Sequence, residues 1–208
     1  MRANRVIVYL NKYFPLKKNQ IKTKLKYPKK NKYALLVALI ISANTTDKQV
    51  NKVTSKLFKK ASDPYSMINI GEKKISQIIK SAGMAKKKAS YIYKMSKQLV
   101  DSEFKFSHKR MEDLLYEQMP ILKKNLVLLS GVGNKIAGVY IINARLFDKN
   151  IKENDFPVDT HVKQFAIKFG LTKNKDPTKI SRDLKKLFPP TMWAKLHYQM
   201  IAANRIKN

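Results

Sequence analysis

The run Tyr33–Ile41, YALLVALII, is apolar on every side of the helix it would form. Such a helix has no polar face to turn toward water, so it must sit at the centre of a domain with other elements packed around it. Helical periodicity supplies those elements. Lys32 to Ile41 is the central helix, and Thr46-Asp47-Lys48-Gln49 has the capping pattern that starts another through Phe58. Ile75, Ile78, Ile79 and Ala82 form one apolar face that Gly83 stops, and Ala89, Ile92, Tyr93, Ser96, Leu99 and Val100 form the next. Met111, Leu114 and Leu115 make a further stripe before Pro120. Asp176-Pro177 opens a helix with Ile180, Leu184, Leu187 and Phe188 inward. Thr191 caps a last one whose Met192, Trp193, Leu196, Met200 and Ile201 are core, with His197 as a satisfied structural histidine. Strand signals are nearly absent, so the expected fold class is all-α.

The charge balance narrows the partner. Against 44 Lys and Arg stand 14 Asp and Glu, a net charge of +30 over 208 residues. A polyanion held by a sequence-independent, salt-sensitive grip is the physical expectation. Compositional drift toward lysine is the alternative, but drift does not hold the acidic count down. With no cysteine, disulfides and thiolate-ligated clusters are excluded, and three scattered His argue against a zinc site. No apolar run is long enough for a membrane span, and the N-terminus lacks the apolar core of a signal peptide. The expectation is a cytoplasmic, nucleoid-associated protein with no membrane partner.

Two patterns carry chemistry. The apolar end Leu126-Val127-Leu128-Leu129 leads into Ser130-Gly131-Val132-Gly133, and a second helix opens at Asn134-Lys135: a helix-hairpin-helix. Two glycines permit positive φ and let backbone N–H groups approach a phosphate, and the next helix adds the positive end of its dipole. A tight turn between packed helices is the plainer reading of that pair alone. Further on, Pro157 precedes Val158-Asp159-Thr160-His161 and a helix in which Val162, Phe165, Ala166 and Phe169 repeat on one face. Taken singly, Asp159 or Thr160 is a helix N-cap, and Lys135 is one more phosphate contact.

Together the hairpin pattern L-x-G-V-G-x-K-x-A and V-D-T-H resemble the helix-hairpin-helix DNA glycosylases of the endonuclease III type. The segment Leu35 to Asp47 with Val50-Asn51-Lys52, and the loop Ala82-Gly83-Met84 with Lys88-Ala89, are similar to further motifs of that family in the same order. The resemblance runs from about Tyr33 to Arg205. It implies two helical domains with a DNA-binding cleft between them: 25–147 carrying the hairpin 130–133, and 1–24 with 148–208 carrying Asp159. It makes Lys135 the nucleophile and Asp159 the carboxylate that stabilises the sugar's developing positive charge. Partial burial and positive surroundings would favour the neutral amine that such attack needs. Asn44 stands where the family has a glutamine that faces the orphaned base, and Met84 where it has an apolar wedge. Lys86, Lys87 and Lys88 would hold flanking phosphates, and Gly131, Val132, Gly133, Thr160 and His161 complete the implied DNA contacts.

The backbone carbonyls of Val127, Leu129 and Val132 would hold a monovalent cation. Ser130 replaces the family's usual proline, which would loosen the turn. Most members carry a C-terminal 4Fe–4S cluster ligated by cysteines. This chain stops about where they would begin and has none, so no cluster is expected. The implied function is base excision repair by a monomer on duplex DNA with a damaged base or abasic site. An oxidised pyrimidine is removed through a Schiff base, followed by β-elimination as in an abasic-site lyase. Two alternatives stay open: a monofunctional glycosylase for alkylated or mispaired bases, and a non-catalytic helix-hairpin-helix module.

Overall fold

The computed structural model describes residues 2–101, 105–106, 109–110, 122–149 and 151–206. The helices are α1 (Arg2–Tyr13), α2 (Lys32–Ser42), α3 (Asp47–Phe58), α4 (Pro64–Ile78), α5 (Ala85–Val100), α6 (Lys123–Leu126), α7 (Asn134–Ala144), α8 (Thr160–Lys168), α9 (Pro177–Leu187) and α10 (Trp193–Arg205). A two-residue antiparallel pairing, Lys105–Phe106 with Lys109–Arg110, is the sole strand structure among the described residues, and the fold is all-α. The expected helix at Met111–Leu115 lies outside the described residues. No helix among those described is long and apolar enough to cross a membrane.

The chain forms two compact units, Lys24–Glu153 and Met1–Thr23 with Asn154–Asn208. In the first, every residue from Lys32 to Ile41 is buried, with α3, α5 and α7 packed against α2. Truncating one of its leucines to alanine would cost about 2–5 kcal/mol, because a surrounded site collapses poorly around a cavity. Asn31 starts α2 by accepting from Ala34 N–H at 2.8 Å, while its amide donates to Ser62 O at 2.9 Å. Lys32 is buried too, and its ammonium pairs with the buried Asp148. Helix α4 runs from an Asp63 cap, and Gly71 (φ 74°) kinks it where the apolar period breaks.

The join expected at 147/148 falls instead between Glu153 and Asn154. The polar connection is tied back to the first unit. Arg145 donates to the carbonyls of Lys152 and Glu153, both at 2.7 Å, and the Glu153 carboxylate accepts from Lys123 N–H at 2.5 Å.

The second unit packs α1 and α8 to α10 around Leu10, Phe156, Phe165, Leu184, Leu196 and Met200. Buried Gln199 donates to the carbonyls of Leu10 (3.1 Å) and Phe14 (2.9 Å), closing the end of α1. His197 is buried with Nδ1 at 3.0 Å from Pro157 O, the structural role expected of it. Two local expectations need correction. Leu187, the last residue of α9, is 41% exposed, so the apolar face ends at Leu184 and resumes at Phe188. Thr191 lies inside a single turn, Pro190–Met192, forced by the preceding prolines, and does not cap α10.

Candidate active site and nucleic-acid interface

Three turns of the first unit carry most of the expected contacts. Buried α2 ends at Ser42, and the chain then turns through Asn44, exposed with φ 53°, into α3. Thr46 caps α3 by accepting from Gln49 N–H at 3.3 Å. The Gln49 side chain does not close the capping box; its amide donates to Ser81 Oγ on the second turn. That turn holds Gly83 (φ 69°) and Met84 (φ 48°), the latter 52% exposed at the start of α5. Asn44 and Met84 therefore share an unusual property: both are non-glycine residues in the left-handed region, where a side chain carries a steric cost. Each is exposed.

Lys86 and Lys87 are exposed on the first turn of α5, where a phosphate can reach them. Lys88 departs from expectation. It is 3% exposed, and its ammonium donates inward to Thr45 Oγ1 at 2.7 Å and Ala82 O at 2.8 Å, so it is no phosphate contact. Burial holds its pKa below the ordinary lysine value.

In the hairpin, Gly131 has φ 80° and needs to be glycine twice over, since a Cβ there would lie 2.6 Å from Tyr91 Cβ. Gly133 does not take positive φ as expected. Its φ is −87°, it is the N-cap of α7, and a Cβ would meet nothing within 4 Å. Its value is the open space beside the N–H groups of α7's first turn, which no side chain caps. Val132 is buried and anchors the turn from below, so its backbone alone is available to a ligand.

Ser130 does not leave the turn loose. Its N–H, which a proline would lack, donates to Gln98 Oε1 at 2.7 Å, and Gln98 Nε2 donates to Leu128 O at 3.2 Å. Sequence reading missed Gln98 and Tyr91, since both act from α5 across a long sequence separation. Among the described residues the carbonyls of Val127 and Val132 accept no hydrogen bond, whereas that of Leu129 accepts from Val132 N–H at 3.0 Å. Two of the three carbonyls thus keep their lone pairs free of described backbone donors. The donor set does not fit an iron–sulfur cluster: the 208 residues include no cysteine. Among the described residues no three His, Asp or Glu are grouped to hold a metal.

Lys135 stands exposed on the first turn of α7, so the partial burial expected for it is not provided within the first unit. Asp159 belongs to the second unit, half-buried at the start of α8. Its Oδ1 accepts from Val162 N–H at 2.8 Å, while Oδ2 accepts from no described residue. The segment leading to it is pinned along its length. Asp155 pairs with Lys185, Ser181 Oγ donates to Phe156 O at 2.7 Å, and His197 holds Pro157 O. Thr160 is exposed. His161 Nδ1 lies 3.1 Å from Asn204 Nδ2, and because an amide nitrogen only donates, Nδ1 is the acceptor in this contact.

Residues 37–190 match the family described as HhH-GPD superfamily base excision DNA repair protein. The chain belongs to that superfamily. Within this superfamily it is of the endonuclease III type. Endonuclease III of Synechocystis sp. is 32% identical over 204 residues, covering 98% of this chain and 83% of that protein. A solved structure described as a trapped endonuclease III–DNA covalent intermediate superposes with a TM-score of 0.77 at 27% identity, covering 96% of this chain and 84% of that one. A non-covalent endonuclease III–DNA complex gives 0.76 at 28% identity, covering 95% and 82%. The chain is thus a DNA-binding protein of base excision repair, and its activity class is DNA glycosylase.

Proposed function

We propose that the protein is a bifunctional glycosylase and abasic-site lyase, acting as a monomer on duplex DNA that contains an oxidised pyrimidine. Excision requires a nucleotide taken out of the stack, stabilisation of positive charge on the sugar, and a nucleophile at C1′. Met84 wedges the stack open, and Asn44 faces the base left without a partner. Lys86, Lys87 and the N–H groups at Gly131 to Gly133 hold phosphates, with Thr160 and His161 touching the strand from the start of α8. A monovalent cation on the carbonyls of Val127, Leu129 and Val132 would stiffen the hairpin and add positive charge beside a phosphate.

The neutral Lys135 amine attacks C1′ and the glycosidic bond breaks, the base leaving with the bonding electron pair and gaining a proton. The carboxylate of Asp159 stabilises the oxocarbenium-like state and takes the proton that the amine loses. Opening of the sugar ring gives an iminium. Loss of a C2′ proton then expels the 3′ phosphate, which cuts the strand. DNA, rather than the chain, would supply the desolvation that the exposed Lys135 lacks.

What carries this reading is the exposed lysine one position into the helix that follows the glycine hairpin, in a chain similar to an endonuclease III captured covalently on DNA. The same exposure suits the non-catalytic reading, in which Lys135 is a phosphate contact. Incubation with a duplex bearing one oxidised pyrimidine tests the pair. Release of the base together with a nick ending in the β-elimination product is expected. Binding with the lesion left intact would contradict the proposal.

A further inference from the structure

Lys88 is a buried ammonium that meets no carboxylate among the described residues; two neutral oxygens, Thr45 Oγ1 and Ala82 O, receive its protons. Such a group costs stability, and an apolar side chain of similar length would fill the space more cheaply. Its position suggests what the cost supports. Thr45 directly follows Asn44, and Ala82 directly precedes Gly83-Met84. The Lys88 backbone N–H donates to Met84 O at 3.0 Å, so one residue holds the Met84 turn from both sides, by main chain and by side chain. Thr45 Oγ1 also lies 2.5 Å from Ala82 O, and the Gln49 amide to Ser81 Oγ bond makes a second link between the same two turns.

We propose that Lys88 is a positioning residue for nucleotide flipping: by tying Thr45 to Ala82 it fixes the spacing of the Asn44 and Met84 turns, so that both side chains enter the duplex as one rigid tool. The proposal rests on the reading of Asn44 and Met84 as the residues that enter the DNA. Opening a base step is costly, and two independently mobile turns would each have to be ordered at that moment. Both backbones already occupy the left-handed region, which persists when surrounding contacts over-determine it. Lys88 supplies those contacts ahead of binding.

The test compares the intact protein with Lys88→Met and Thr45→Val in single-turnover excision. One duplex pairs the oxidised pyrimidine normally. In the other a mismatched base faces it, so that less energy is needed to extrude it. Both variants should be slower by about tenfold or more on the paired duplex and by about threefold or less on the mismatched one. A 2-aminopurine beside the paired lesion should lose its unstacking fluorescence in parallel. Thr45→Val also removes the direct Thr45 to Ala82 hydrogen bond and reports on the link between the turns as a whole. Should Lys88→Met yield little folded protein, Lys88→Gln, which keeps an N–H donor on a shorter stem, decides the matter by the same two-duplex comparison. Equal losses on the two duplexes, or no loss on either, would overturn the proposal alone. Failure of the intact protein to excise from both would overturn the functional reading and this proposal with it.

Discussion

Tyr91 occupies the space that a side chain at Gly131 would need: an ideal Cβ there would stand 2.6 Å from Tyr91 Cβ and 2.8 Å from its Cγ. The hairpin is therefore seated on α5, the helix that also begins at the Met84 turn, and Gln98 adds two hydrogen bonds to the same seat. The glycine hairpin and the Met84 turn are thus carried by the same helix.

Gly131→Ala and Gly133→Ala should consequently fail in different ways. The first combines positive φ with a clash against a Cβ that cannot swing aside, and should lower stability by about 2 kcal/mol or more. The second fits sterically and should melt within a few degrees of the parent, yet bind duplex DNA more weakly because its methyl group crowds the exposed N–H groups. Thermal melts and DNA titrations on both proteins check this. Equal melting points would contradict it.

The three consecutive lysines should separate in a salt titration. Alanine at Lys86 or Lys87 should reduce the slope of log affinity against log salt by about 0.9 each, the signature of one lost phosphate contact. Lys88→Met should leave the slope unchanged, because the ammonium faces Thr45 and Ala82. A slope reduced in all three alike would show that Lys88 reaches DNA after all.

That contrast also shows where sequence stops being informative. The central helix, the hairpin and the caps at Asp159 and Asp176 were readable, because periodicity and capping are local. In Lys86-Lys87-Lys88 the letters are identical and only helical phase distinguishes them. Lys88 lies four residues before Ile92 and seven before Met95, on the buried face of α5. The Gln98 to Ser130 bond joins residues far apart in sequence, and no local signal marks it. Asp63 caps α4 before Pro64 as Asp176 caps α9 before Pro177, but Gly71 at φ 74° breaks the apolar period along α4. The exposure of Lys135 is likewise a property of packing, invisible in a motif.

The two oxygens of Asp159 differ: one caps α8, and the other accepts from no described residue, which leaves it for the proposed charge stabilisation. Asn caps helices about as well as Asp, so Asp159→Asn should change stability by less than about 0.5 kcal/mol. Excision should fall by roughly 10²–10⁴-fold, the range for loss of a charged acid–base group. Melting curves and single-turnover rates on the same preparation test both halves. A large loss of stability with proportionate activity would make Asp159 a cap and nothing more.

Asp183 predicts an acid-dependent term in the second unit. Hydrogen bonds from Thr172 first, and then Asn174, hold its carboxyl below the ordinary aspartate value, with Lys186 and Arg182 adding to this and burial opposing it. The folded state thus favours the ionised form. Its contribution is fully present above the unfolded aspartate value of about 3.9 and disappears as pH falls through the lower folded value. Asp183→Asn should melt below the parent at neutral pH, and the gap should close as the pH is lowered below about 4. A gap independent of pH would assign the effect to packing.

The most direct measurement is borohydride trapping on a duplex with one oxidised pyrimidine, comparing the intact protein with Lys135→Ala. A covalent protein–DNA adduct that forms with the intact protein and vanishes in the variant is the predicted result. Base release by the intact protein with no adduct, or an adduct that persists without Lys135, would contradict the account.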